Sequence, residues 1–186
     1  MPSGPGVIDE DTIAQIAPSV PPGIASFLLT ASQDAGHILA QQRRTRVTTL
    51  QLVDAVAHAD LIELRQALPG IGLVQVIHVM DASSVDEALA VAPLVDALLL
   101  DSGNTRLPVK ELGGTGRTHD WSLSAAIRER SGKPVFLAGG LHAGNVGDAI
   151  RAVQPFGVDI CSGVRSDGAL DAAKLGAFVQ AVRAAR

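Results

Sequence analysis

The chain has 186 residues, of which 47% are hydrophobic and 3% aromatic, and its 15 basic and 19 acidic side chains give a net charge of −4. This length fits one domain with an aliphatic core, while the acidic balance and scarce aromatic residues exclude a typical nucleic-acid surface. The single cysteine excludes an internal disulfide. The sequence predicts neither a membrane span nor a signal peptide, so we expect a cytoplasmic protein. We also expect that the protein binds no metal.

Short apolar runs alternate along the chain with segments of helical spacing. The runs are mostly apolar throughout, which is typical of strands covered on both faces in a parallel sheet. Repeated strand-helix units predict an α/β fold, either an open doubly wound sheet or part of an eight-stranded barrel. We predict strands at 24–29, 49–53, 73–79, 97–101, 134–138 and 158–161, and helices at 9–16, 34–44, 59–68, 85–92, 121–130, 145–153 and 171–186.

The fourth predicted strand ends in a carboxylate, Asp101. Ligands bind at the carboxyl ends of strands in both candidate architectures, so Asp101 is placed like a catalytic acid. A simpler reading makes it the first residue of a turn that continues through 102–104.

The segment 111–119 follows without helical periodicity and contains three glycines, Gly113, Gly114 and Gly116, next to Arg117. Long connections of this kind are uncommon unless they are functional or disordered. We interpret the segment as a mobile active-site loop in which Arg117 meets an anion, with a solvated flexible loop as the alternative.

Glycine turns follow the last two predicted strands, at Gly139-Gly140 and at Ser162-Gly163. In barrels a phosphate commonly lies between the loops after the last two strands, bound by backbone N–H groups. The pair of turns therefore predicts a phosphate site. Cys161, on the last predicted strand, is better interpreted as a small buried hydrophobic residue than as a nucleophile. His78, in the third predicted strand, is interpreted as a core histidine.

These motifs, in this order and spacing, resemble phosphoribosylanthranilate isomerase. The resemblance is sharp from about Val95 to Gly163 and continues more weakly back to Ile8. It rests on 98–101, 113–121, 138–141, Asn145-Val146, 155–159 and 162–164.

The resemblance implies an eight-stranded (β/α) barrel that catalyses an Amadori rearrangement in tryptophan biosynthesis without a cofactor. Its substrate is a phosphorylated sugar, phosphoribosylanthranilate. By similarity, Asp101 protonates the ribose ring oxygen to open the sugar, and a base then takes the proton from the adjacent carbon. The residues implied in substrate and phosphate binding are Gly139, Gly140, Asp159, Ser162, Gly163 and Arg117.

The sequence departs from the family pattern at its start. The family's base is a cysteine in a Lys-Ile-Cys-Gly-like first strand, and these 186 residues contain no such segment. We therefore expect a single barrel-like domain over 1–186 of TIM (β/α)8 type, incomplete, with about six parallel strands and the first two missing. The missing strands would leave two open sheet edges, which a homo-oligomer could cover.

Three explanations fit this departure: a start that lies inside a longer protein, strands supplied by another chain, or a shortened homologue that has closed in a different way and lost the reaction. We favour an internal start. The functional alternatives to the isomerase are a catalytically silent phosphate-sugar binding protein and another phosphosugar enzyme on the same barrel.

Overall fold

The structure is a computed structural model, and it describes residues 7–104, 110, 112 and 116–185. The chain forms two compact units, one of Met1–Val76 with Pro93–Ala97 and the other of Ile77–Ala92 with Leu98–Arg186. Strands and helices alternate within both units, as the apolar pattern predicts.

The first unit contains three helices and a parallel strand order β1-β2-β3. All four residues of β2 are buried, whereas β1 alternates between exposed and buried side chains. Phe27 and Leu29 are 39% and 46% exposed, so one face of β1 is uncovered. The elements are α1 (Glu10–Ile16), β1 (Phe27–Thr30), α2 (Ala35–Thr45), β2 (Thr49–Leu52), α3 (His58–Ala67) and the greater part of β3 (Gly72–His78).

The second unit contains the end of β3, nearly all of β4 and the parallel order β4-β5-β6. Leu98 lies opposite Val135, and Phe136 lies opposite Gly157. The elements are α4 (Ser83–Val91), β4 (Ala97–Asp101), α5 (Trp121–Ser131), β5 (Val135–Leu137), α6 (Val146–Val153), β6 (Gly157–Val158), β7 (Arg165–Ser166), β8 (Ala169–Leu170) and α7 (Ala172–Ala184).

Six parallel strands and seven α-helices are present in the described residues, which confirms the predicted element order. Two details differ. Strand β6 ends at Val158 and not at 161, and an antiparallel hairpin, β7-β8, follows it.

Acidic side chains fix several helix starts. Asp34, Asp120 and Asp171 each accept a hydrogen bond from a backbone N–H in the first turn of the helix that follows. Such caps satisfy N–H groups that have no partner within the helix, so the chain turns into the helix at a defined residue. Within the described ranges, no helix has the length and apolar character needed to cross a membrane.

Candidate active site

Asp101 is the last residue of β4, and the three leucines before it are 0–3% exposed. The Ser102 amide donates a hydrogen bond to Asp101 Oδ1 at 2.7 Å. The Asp101 carbonyl accepts a hydrogen bond from the Val79 amide at the end of β3. A rigid strand therefore presents this carboxylate at its carboxyl end, where the sequence predicts it.

Asp101 lines a cavity of about 50 Å³ in the second unit. The cavity brings together five of the seven predicted site residues: Asp101, Gly139, Gly140, Asp159 and Ser162. Gly116, Ala138, Leu141, Ile160 and Cys161 complete its lining. Of the other two predicted residues, Gly163 directly follows Ser162, and Arg117 follows Gly116 with its side chain exposed.

The turn after β5 depends on left-handed backbone. Gly139 and Gly140 have φ angles of +84° and +60°, which residues with a Cβ rarely adopt. A Cβ on Gly140 would also lie 2.6 Å from the Arg117 carbonyl carbon. The turn thus needs glycine both for its conformation and because backbone of the 116–117 segment packs on it.

One side chain, Asn145, closes this turn with two hydrogen bonds. Its Oδ1 accepts from the His142 amide at 2.8 Å, and its Nδ2 donates to the Gly140 carbonyl at 3.0 Å. Asn145 is the first residue of the predicted helix 145–153, but it precedes α6, and its side chain makes no capping bond to that helix. It stabilises the glycine turn instead.

The turn after β6 is held by packing. The Asp159 amide donates to the Leu137 carbonyl at 2.8 Å. Residues Ser162–Val164 form one short 3₁₀ turn, and a Cβ on Gly163 would collide with the Leu141 carbonyl oxygen. Gly163 is therefore required by a close approach of two backbone segments.

Asp159 and Asp101 place two carboxylates on the same cavity. Asp159 is exposed at the cavity, yet the protein atoms around it still limit its hydration and raise its pKa. The negative charge of Asp101 raises the pKa of Asp159 further, while a hydrogen bond from the Ile160 amide lowers it. The arrangement favours the protonated form of Asp159, and a protonated carboxyl group suits general acid catalysis.

His119 lies beside this site, and its place at the end of the predicted loop 111–119 assigns it no individual role. Its Nε2 is 2.7 Å from Ser124 Oγ on α5. Its Nδ1 is buried and has no hydrogen-bond partner among the described residues. A non-periodic segment carries no signal for such a contact, because the contact depends on how the segment packs.

Two readings of single residues have clear outcomes. Cys161 is exposed and lines the cavity, so the expected buried hydrophobic residue is wrong; the strand that would have covered it ends at Val158. His78 is 5% exposed at the end of β3, as expected for a core histidine. Of the predicted loop 111–119, residues 111 and 113–115 lie outside the described residues.

A larger cavity, of about 420 Å³, lies in the first unit. Its lining includes residues of α1, Ser26 and the first three residues of β1, and Val47 before β2. Barrel active sites are built at the carboxyl ends of the strands, so the smaller cavity is the better candidate. No group of three potential metal ligands occurs within the part of the chain that the structure describes.

Comparisons with known proteins identify the family of the chain. The family model described as N-(5'phosphoribosyl)anthranilate (PRA) isomerase matches residues 12–181. A curated relative, N-(5'-phosphoribosyl)anthranilate isomerase 2 of Methanosarcina mazei, is 37% identical over 173 residues, which cover 92% of this chain and 76% of the relative.

Solved structures give the fold. Phosphoribosylanthranilate isomerase of Thermotoga maritima matches with a TM-score of 0.82 and 24% identity, covering 98% of this chain and 84% of that one. A phosphoribosylanthranilate isomerase in complex with reduced 1-(o-carboxyphenylamino)-1-deoxyribulose 5-phosphate matches with a TM-score of 0.79 and 22% identity, covering 98% of this chain and 84% of the other. These matches confirm the predicted fold class, the (β/α)8-barrel type with six of its strands present. The chain belongs to the N-(5'-phosphoribosyl)anthranilate isomerase family.

Proposed function

We propose that this chain catalyses the Amadori rearrangement of N-(5'-phosphoribosyl)anthranilate to 1-(2-carboxyphenylamino)-1-deoxyribulose 5-phosphate, with Asp101 as the general acid. The observation that carries the proposal is the shared cavity: Asp101, at the end of β4, faces the same space as both glycine turns. A phosphorylated sugar bound by the turns would lie beside a carboxylic acid. The family membership and the relative solved with a sugar phosphate support this substrate class.

The reaction requires two proton transfers. Asp101 donates a proton to the ribose ring oxygen, and the ring opens; a base then removes a proton from the adjacent carbon. The second carboxylate, Asp159, lies near the substrate, and its limited hydration together with the negative charge of Asp101 favours its protonated form. Backbone amides of Gly139, Gly140, Ser162 and Gly163 bind the phosphate, and Arg117 adds a positive charge.

A second candidate is a phosphate-sugar binding protein without turnover. It is favoured by one observation: the only cysteine is Cys161, and no Lys-Ile-Cys-Gly segment supplies the family's base. We retain the single barrel-like domain and the homo-oligomer that covers the open edges as parts of the proposal.

Two measurements on the full chain separate these functions. Turnover of phosphoribosylanthranilate is followed by loss of substrate, and binding of a phosphorylated sugar is followed by calorimetry. Binding with turnover supports the isomerase, and binding without turnover supports the silent protein.

The Asp101→Asn variant tests the acid directly. It removes the donated proton but keeps the size of the side chain, so we expect loss of turnover with sugar-phosphate affinity within about threefold, against a general acid contribution of about 100-fold or more. Asp148→Asn, an exposed carboxylate paired with Arg151 on α6, is the matched control. Full turnover in Asp101→Asn would remove Asp101 from this role.

A further inference from the structure

His119 connects the 116–119 segment to helix α5. Its Nε2 shares a hydrogen bond with Ser124 Oγ at 2.7 Å, and Ser124 is fully buried one turn into the helix. Asp120, the residue between them that caps α5, accepts from the Ser122 amide. The Nε2 hydrogen bond therefore fixes the imidazole ring, and the Asp120 cap fixes the backbone that follows His119.

The other ring nitrogen points at the turn after β5. A Cβ built on Gly139 would lie 3.0 Å from His119 Nδ1 and 3.1 Å from the Ser102 amide nitrogen. That same Ser102 amide donates to Asp101 Oδ1. The imidazole thus packs in the space that a side chain at position 139 would occupy, next to the residue that holds the catalytic carboxylate.

The same segment packs on Gly140. A Cβ on Gly140 would lie 2.7 Å from the Arg117 carbonyl oxygen and 2.8 Å from that of Gly116. Since Gly116 lines the cavity, the position of this backbone shapes the site. The His119–Ser124 hydrogen bond fixes the segment from the side of the helix.

Charge at His119 also matters. Burial lowers the pKa of His119, while the negative charges of Asp101 on β4 and of Asp120 oppose that effect. The ring is therefore neutral at neutral pH.

We propose that His119 is a positioning residue of the isomerase: its ring, hydrogen-bonded to Ser124, holds the 116–117 backbone on the glycine turn after β5, beside Asp101. This inference rests on the proposed function, because the acid role of Asp101 belongs to it. The sequence alone assigned no role to His119.

Two substitutions separate the two ring nitrogens. In His119→Gln the amide reaches the position of Nε2 and can bond Ser124, and it carries no titrating proton. In His119→Asn the amide reaches only the position of Nδ1, so the bond to Ser124 is lost, as it is in Ser124→Ala. His58→Gln, at the exposed first residue of α3, is the control for loss of a histidine.

We expect kcat at pH 8 to fall less than about threefold in His119→Gln, and about 10- to 100-fold in His119→Asn and Ser124→Ala, with KM changed less. Equal losses in the Gln and Asn variants would overturn the proposal.

An NMR titration of His119 gives an answer that does not depend on turnover. We expect a midpoint below the ordinary value of 6.5 and a still lower one in Asp101→Asn, with shifted Gly139 and Gly140 amide signals in Ser124→Ala. A midpoint at or above 6.5, or unmoved glycine signals, contradicts the anchoring. If the chain shows no turnover, the proposed function fails together with the catalytic half of this proposal, while the titration still decides the anchoring half.

Discussion

The two glycine turns that face the candidate cavity are built by different means. The turn after β5 uses left-handed backbone at Gly139 and Gly140 and two hydrogen bonds from Asn145. The turn after β6 has no such bonds from a neighbouring side chain among those described, and Gly163 does not have a positive φ. Its shape follows from the Leu141 carbonyl, which occupies the place of a side chain. Two neighbouring turns can thus meet one ligand and still respond differently to substitution.

Gly140→Ala should have the largest effect. A left-handed alanine costs about 1–2 kcal/mol, and overpacking costs a further 1–3 kcal/mol or so, giving a loss of about 2–5 kcal/mol in the free energy of unfolding. Urea denaturation measures it. Gly168→Ala, at φ +79° with open space around it, carries the conformational cost alone. Equal losses in the two variants would show that the 116–117 backbone does not pack on Gly140.

Gly163→Ala should come next, at about 1–3 kcal/mol, since only the collision with the Leu141 carbonyl opposes it. The same denaturation experiment applies. Gly176→Ala inside α7, where nothing lies within 4 Å, should instead gain about 0.5–1 kcal/mol from helix propensity. A neutral Gly163→Ala would mean that the turn after β6 can move away from β5.

Asn145→Ala should destabilise the turn after β5 by about 1–2 kcal/mol, because it removes the two hydrogen bonds to His142 and Gly140. Hydrogen exchange of the His142 amide should be faster in this variant than in the unsubstituted chain. The Gly163 amide, in the other turn, should be unaffected. Equal acceleration in both turns would end the distinction between them.

Asp159→Asn should have the smallest effect and the opposite sign. The raised pKa of Asp159 means that the folded state binds its proton more tightly than the unfolded chain, so stability falls as pH rises from about 3.8 through the folded pKa. Asn carries no charge, so the substitution removes this loss of stability. The melting temperature of Asp159→Asn should exceed that of the unsubstituted chain at pH 7 but not at pH 3. Since Asp159 is exposed, a modest difference is expected; a lower melting temperature at pH 7 would contradict the sign.

Much of the fold was predictable because apolar runs mark covered strands. The prediction for β4 matches residue by residue, since Ala97 through Leu100 are buried and Asp101 ends the run. The prediction for β6 was too long: the Asp159 amide still bonds to the Leu137 carbonyl of β5, but the side chains of Asp159 and Cys161 face the cavity and solvent. An apolar sequence pattern predicts which side chains are buried, but it does not predict the residue at which a strand ends.

The sequence contains a pattern typical of the hairpin β7-β8, although no hairpin was predicted there. Asp167 and Gly168 join its strands, both with positive φ, and an Asp-Gly pair is a typical two-residue hairpin turn. The site is a different case. Asp101 and the glycine turns could be predicted because strand ends converge, whereas His119 and Asn145 act through packing and hydrogen bonds between segments distant in the pattern.

The exposed thiol on the cavity wall gives the protein a built-in reporter. Because Cys161 is the sole cysteine, a thiol-specific dye attaches at one known position without engineering. Its labelling rate reads out occupancy of the neighbouring space, since a molecule seated there would shield the sulfur from the reagent.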